Sequence, residues 1–165
     1  MLRSLTILTT IALAPGTALA GSANSFSRSG TVSAQAVEPV VLTHWGGYVL
    51  HFGKFTVGSA GTVTVSTSGS GSTSGGVTFV AGSSTSADRL IVDGEPFRQV
   101  SITTGPGTVT AGASSMAFTT TPLLPSGYIP FTGSGYFTVG GTLSVGAGQA
   151  PGSYSGTYPV TVAYN

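Results

Sequence analysis

The stretch Tyr136-Phe137-Thr138-Val139-Gly140-Gly141-Thr142-Leu143-Ser144-Val145 decides the fold class. Tyr136–Val139 and Thr142–Val145 read as two short strands rich in β-branched and aromatic residues, with Gly140-Gly141 as the turn between them. Working outward, comparable runs occur at Thr62–Ser66, Val77–Val80, Arg89–Val92, Val100–Thr103, Thr108–Thr110, Met116–Thr119 and Thr157–Tyr164. Val40-Val41-Leu42 is a further short extended segment behind Pro39, and Tyr48, Leu50 and Phe52 alternate after Gly46-Gly47. Gly94-Glu95-Pro96, Gly105-Pro106-Gly107, Pro125-Ser126-Gly127 and Pro151-Gly152 punctuate the runs as turns, and the low-complexity tract Thr67–Gly76 reads as a loop. Short strands at this spacing, with no helical period between them and no fixed repeat, predict an all-β sandwich or barrel.

Composition agrees. The chain has 165 residues, 5 Lys+Arg, 4 Asp+Glu, 26 Gly and no Cys. Its charged fraction of 5% lies far below the ~25% of ordinary domains. Helical bundles and coiled coils lack their Glu and Lys here. Without a basic run there is no electrostatic footprint for nucleic acid or an anionic membrane surface. A mean hydropathy of +0.37 also argues against a charged, disordered tail.

The first residues read as a secretory signal: Arg3, then a short apolar stretch from Leu5 to Leu13, then Ala18-Leu19-Ala20 as the small-residue cleavage site. That stretch falls short of the ~20 apolar residues that cross a bilayer, so no membrane insertion is expected. The expected layout is a signal at 1–20, an N-terminal arm at 21–36 and a β-sandwich domain at 37–165. The product is exported, to the periplasm, the cell surface or beyond. In the arm, a small polar leader runs to Gly30; Val32, Ala34 and Ala36 then alternate with Thr31, Ser33 and Gln35. A small exported domain without cysteine must draw its stability from a β core or from a neighbouring chain.

Motifs for chemistry are missing. There is no G-x-S-x-G and no completed G-x-G-x-x-G, and Thr67–Gly76 lacks the Lys-Ser/Thr end of a phosphate loop. His44 and His51 flank Trp45, but a zinc site needs three or four ligands and the chain is poor in candidates, so each reads as a surface or satisfied strand histidine. Trp45 beside Gly46-Gly47 could be a sugar-stacking platform, but a lone Trp there reads rather as a core or rim aromatic. Asp88, Asp93 and Glu95 lie near Arg89 and Arg98, yet glycoside hydrolysis needs two carboxyls facing across ~5–10 Å. Asp93 and Glu95 flank Gly94, which reads as a solvated turn with a local ion pair. No catalytic residue, metal or cofactor is expected.

The segment Phe137–Val145, then Gln149-Ala150-Pro151-Gly152, then Tyr158 to Asn165, resembles the bacterial secreted family filed as domain of unknown function 4402. Leu50-His51-Phe52-Gly53, Gly61–Ser66 and Val92-Asp93-Gly94-Glu95-Pro96 leading into Ser101-Ile102-Thr103 extend the resemblance. Such chains look like spore-coat-U-type and other chaperone–usher pilin domains. Those typically carry a penultimate Tyr and a Gly fourteen residues from the end, which Tyr164 and Gly152 match. Many spore-coat-U-type subunits contain a disulfide, and this chain has none.

The resemblance implies an immunoglobulin-like, pilin-like sandwich lacking one strand, its groove filled by an arm from the next subunit. On that reading Phe26, Val32, Ala34 and Ala36 belong to the donated arm, and Tyr158, Val160, Val162 and Tyr164 line the final strand beside it. The opposing possibility is that Thr31–Leu42 pairs inside its own domain as a first strand. The expected function is a non-enzymatic structural subunit of a bacterial surface fibre or coat, self-associating by strand donation with a periplasmic chaperone and usher as partners. The alternative is a self-contained secreted adhesin or carbohydrate-binding module.

Overall fold

The computed structural model describes residues 28–165. The signal expected at 1–20, the mature start at Gly21 and the arm residue Phe26 lie outside them. The chain divides into two units, Met1–Gln35 and Ala36–Asn165. In the first, the described residues 28–35 are exposed and form no strand. Val32, Ala34 and Ala36 are therefore solvent-facing, and the alternation at Thr31–Ala36 does not make a strand within one copy. Val and Ala bury too little apolar surface to order an extended segment that has no ladder partner.

The second unit is all-β, with no helix among the described residues. Its strands are β1 Val41–His44, β2 Phe55–Val65, β3 Gly71–Phe79, β4 Asp88–Asp93, β5 Gln99–Thr104, β6 Gly107–Ala111, β7 Ser114–Pro122, β8 Ser126–Tyr128, β9 Ser134–Val145, β10 Ser155–Thr157 and β11 Val160–Tyr164. All pairings are antiparallel. The larger sheet has the order β1-β4-β9-β7-β6-β10, with β2 added on β9 and β3 on β2; the smaller has the order β11-β5-β8. Two antiparallel sheets around apolar clusters are consistent with the expected β-sandwich.

Strand β9 organises the larger sheet. It pairs with β4 along Ser134–Val139, with β2 along Gly141–Val145, and with β7 along Val139–Leu143. Gly140-Gly141 is thus not a turn. Phe137, Val139, Gly141, Leu143 and Val145 share one inward parity straight through it, and all five are buried. The glycines are there for space. A Cβ on Gly141 would lie 2.6 Å from the Thr119 carbonyl oxygen and 3.1 Å from Leu50 Cδ2, and one on Gly140 would run into the Val65 carbonyl. Three strand backbones converge at this point, and only glycine lets them approach.

Other expectations shift for similar reasons. The tract Thr67–Gly76 is not one loop: β3 begins at Gly71, because Val63 and Val65 on β2 supply a ladder partner for a segment of weak intrinsic preference. Ser126-Gly127 belongs to the short strand β8, which pairs with β5, rather than to a turn. The alternation Tyr48, Leu50, Phe52 makes no strand but a single bridge, His51 to Ser86. The run Thr157–Tyr164 divides at Pro159, which cannot donate to a ladder. Residues before it pair with β6 and residues after it with β5, so the chain changes sheets there.

Two apolar clusters fill the interior. One gathers Phe52, Val63, Val65, Val77, Met116, Phe118, Leu143 and Val145. The other gathers Leu90, Val92, Val100, Ile102, Ile129, Phe137 and Val139 between β4 and β9 on one side and β5 on the other. Each such side chain contributes roughly 1.5–3 kcal/mol on burial. Tyr158 packs against both clusters and stands edge-on to Phe118, with ring centroids 6.2 Å apart.

Candidate functional site

Among the described residues the final strand is an unpaired edge. β11 has β5 as its one neighbour and ends the smaller sheet. Its inward residues Val160, Val162 and Tyr164 are half-buried, whereas Val100 and Ile102, on the adjoining β5, are fully buried. Val40 and Leu42 pack on the same cluster from the chain leading into and along β1, itself the edge of the larger sheet. The Tyr164 hydroxyl ties the region together: it accepts from the Glu95 backbone N–H at 2.8 Å and donates to the Glu38 carbonyl at 2.9 Å. Gly152 is not brought to this edge. It is exposed, and its neighbours are Ala111 and Tyr154.

A separate apolar opening of about 440 Å³ lies on the other side of β5. Val92, Val100, Ile102, Ile129 and Phe137 form its floor, with Leu124 and Tyr128 at its rim. It opens where β7 ends at Pro122, leaving β9 from Ser134 to Phe137 with β4 as its one strand neighbour among the described residues.

Asp88 is the buried polar node of the fold. It sits at the inward parity of β4 with Leu90 and Val92 and is 3% exposed. Its Oδ2 accepts from the Tyr158 hydroxyl at 2.7 Å and meets His44 Nε2 at 3.0 Å, while its Oδ1 accepts from the Arg89 backbone N–H at 2.7 Å. A buried carboxylate is tolerable only when satisfied in this way. Burial, then the hydrogen bond to Asp88 and its charge, pushes the Tyr158 hydroxyl far above its ordinary pKa. The Asp88–His44–Tyr158 grouping holds β1, β4 and the sheet-changing segment together.

The outer face of the same strands carries a different cluster. Arg89 points away from the core, with its guanidinium carbon 4.3 Å from the Tyr48 ring centre, 4.9 Å from Tyr136 and 5.1 Å from Trp45. Trp45 stands edge-on to Tyr48 at 6.0 Å and to Tyr136 at 5.6 Å. The Trp45 backbone N–H donates to the Arg89 carbonyl at 3.0 Å, which fixes the indole over β4. The sequence set Trp45 apart and placed Arg89 among carboxylates, without joining the two. The signal for its partners was parity: Arg89 and Ile91 lie on the outward positions of β4, and Tyr136 is the register partner of Ile91. Asp88 had a comparable signal, an acid at the core parity of its strand.

Among the described residues no three His, Asp or Glu side chains come together as metal ligands would. His51 is occupied elsewhere, its Nδ1 lying 3.0 Å from the Ser84 carbonyl and 3.2 Å from the Gly53 N–H. The local ion pair expected around Asp93 and Glu95 does not form among the described residues, where His44–Asp88 at 3.0 Å is the one contact between a carboxylate and a basic side chain. Glu95 instead accepts from the Glu38 backbone N–H at 3.2 Å, which serves the turn without a basic partner.

Comparison with known proteins agrees with the sequence resemblance at the level of family. No curated protein and no solved structure matches the chain. Residues 42–164, from β1 to the end of β11, match the family described as Domain of unknown function (DUF4402), and the chain belongs to that family.

Proposed function

We propose that this protein is a non-enzymatic structural subunit of a bacterial surface fibre or coat, exported and assembled by strand donation. In this reading the segment from Phe26 to Ala36 of one copy lies against the free edge of β11 in the next. A periplasmic chaperone and an usher guard that edge before assembly. The observation that carries the reading is the half-buried inner face of β11 beside an edge without a strand partner among the described residues. An added strand would supply main-chain bonds to that edge and cover Val160 and Val162. Val32, Ala34 and Ala36 are suited to the donor role by being unused within their own copy. Each buries only enough surface for ~1–2 kcal/mol, so persistence would rest on the ladder and on slow dissociation. An uncovered edge of this kind is an aggregation hazard, which gives a chaperone its purpose.

Deletion of residues 21–36 tests the reading. The truncated domain should fold, remain unpolymerised, and bind a peptide of residues 26–36 added in trans. A truncated domain that unfolds, beside a full-length chain that stays monomeric, would end the strand-donation account.

A further inference from the structure

We infer that the outer face of β1, β4 and β9 is a saccharide-binding site selective for a carboxylated sugar, centred on Arg89. This inference is independent of the assembly reading, because the face is directed away from the core that β11 borders.

Three observations meet here. The first is an exposed aromatic surface of uncommon density for this chain: Trp45 is 38% and Tyr136 60% exposed, with Tyr48 beside them. Rings standing nearly perpendicular, at 73° and 88° to the indole, present both a face and edges, the arrangement that takes up the C–H surface of a pyranose. The second is an uncompensated charge. The Arg89 guanidinium has no ion-pair partner among the described residues. Asp88 points to the opposite side of the strand and is occupied by Tyr158 and His44. Asp93, four residues along the same strand face, is about 13 Å away at the rise of an extended chain. Aromatic rings hold the guanidinium in place through its π faces but leave its in-plane N–H donors seeking an acceptor.

The third observation is an unmet hydrogen-bonding demand at the same spot. Among the described residues, Arg89 Nε and Thr138 Oγ1 are both buried without a hydrogen-bond partner, and Arg89 and Thr138 are register partners across β4 and β9. A shallow depression of about 260 Å³ lined by Trp45, Ile91, Ser134, Gly135 and Tyr136 shares Trp45 and Tyr136 with the rings that hold Arg89. It suits one or two sugar rings rather than a large ligand. A carboxylate matches the planar fork of the guanidinium in geometry as well as in charge. The ligand chemistry that satisfies all three is a hexuronic acid residue, with its carboxylate on Arg89 and its ring on Trp45 and Tyr136.

Trp45 is the sole tryptophan, so its emission reports the site directly. The exported full-length chain should be titrated with an oligosaccharide of hexuronic acids, a neutral oligosaccharide of equal length, and polyglutamate. The expected result is a saturable change in Trp45 emission with the uronate alone, weakened by added salt. Arg89→Gln should lower the uronate affinity by about tenfold or more, as loss of a charge-assisted pair does, and Arg89→Lys should recover part of it. Tyr136→Ala, at an exposed ring, should fold normally and bind several-fold more weakly. No response to the uronate would overturn the site. Equal binding of the neutral sugar would overturn the role of Arg89, and equal binding of polyglutamate the sugar specificity. Should Arg89→Gln fail to fold, the three ligands on the unaltered chain and the Tyr136 variant still decide the matter.

Discussion

The Tyr158 hydroxyl donates to the carboxylate of Asp88 at 2.7 Å, joining the segment where the chain changes sheets to a strand of the larger sheet. Tyr158 packs on both apolar clusters, so this one bond fastens the polar tip of a side chain whose ring is shared by the whole interior. Tyr158→Phe keeps the ring and removes the donor. It should cost about 1.5–3 kcal/mol, the range for a hydrogen bond to a charged acceptor. Asp88→Ala should cost more, because it strands both Tyr158 and the Arg89 N–H. Urea unfolding of the two variants checks the order.

The same bond makes stability fall in alkali. Tyr158 has its pKa raised above the ordinary 10.0, by burial first and then by Asp88, so the folded chain keeps a proton that the unfolded chain releases. Its contribution is complete below about pH 10 and is lost as pH rises further, at no more than about 1.4 kcal/mol per pH unit for one proton. The stability difference between the natural chain and Tyr158→Phe should therefore shrink above that pH. A difference that stays constant from neutral pH into alkali would contradict the assignment.

Gly141→Ala tests the convergence of strands on β9. The new methyl would meet the Thr119 carbonyl oxygen at 2.6 Å, a backbone atom that cannot rotate aside. Overpacking of a fixed core costs typically 1–3 kcal/mol, and here the obstacle is the backbone of β7, which is held against β9 by their ladder. The melting temperature should drop by several degrees or more, whereas Gly148→Ala, in open space, should produce a smaller loss arising from its positive φ.

The strands were legible wherever alternation and turn residues coincided, as at Arg89–Val92 and Met116–Thr119. They were illegible where glycine served packing instead of turning. Gly140-Gly141 carries the composition of a hairpin and the geometry of a strand crossing, and only the backbones of β2 and β7 distinguish the two. The first half of β3, from Gly71 to Gly76, reads as a loop because its Ser, Thr and Gly have little preference of their own; pairing with β2 decides it. The Asp88 node and the Arg89 cluster depend on which parity faces the core. That parity follows from Leu90 and Val92 once β4 is placed, but the partners Tyr158 and Tyr136 come from strands distant in sequence.

Phe97 is the one non-glycine residue with positive φ among the described residues, at 62°, and its side chain is 72% exposed. Its N–H donates to the Ile129 carbonyl, which holds the turn in the left-handed region. An L side chain there costs about 1–2 kcal/mol, and little burial offsets it. Phe97→Gly should raise the melting temperature modestly, since glycine's own entropy cost takes back ~0.5–1 kcal/mol of the relief. A fall of several degrees would mean that the Phe97 ring has a packing partner that its exposure does not reveal.

Val32 distinguishes a donated arm from an idle one. It is 96% exposed, so Val32→Asp has almost nothing to disturb within its own copy, and its folding stability should change by no more than about 0.5 kcal/mol. In a donated strand the same side chain would enter an apolar groove beside Val160 and Val162, and an unpaired carboxylate cannot be buried there without a penalty of several kcal/mol. Polymer formed by the variant, followed by sedimentation, should collapse while its monomer melts as the natural chain does. Val162→Asp on the receiving strand should give the same assembly defect, though with a loss of monomer stability because Val162 already packs on the inner cluster. Mixing the two defines the polarity. A chain carrying Val32→Asp still offers an intact β11 edge, and one carrying Val162→Asp still offers an intact arm, so together they should form pairs that neither forms alone. Should Val32→Asp polymerise as well as the natural chain, the arm from Phe26 to Ala36 is not the donor.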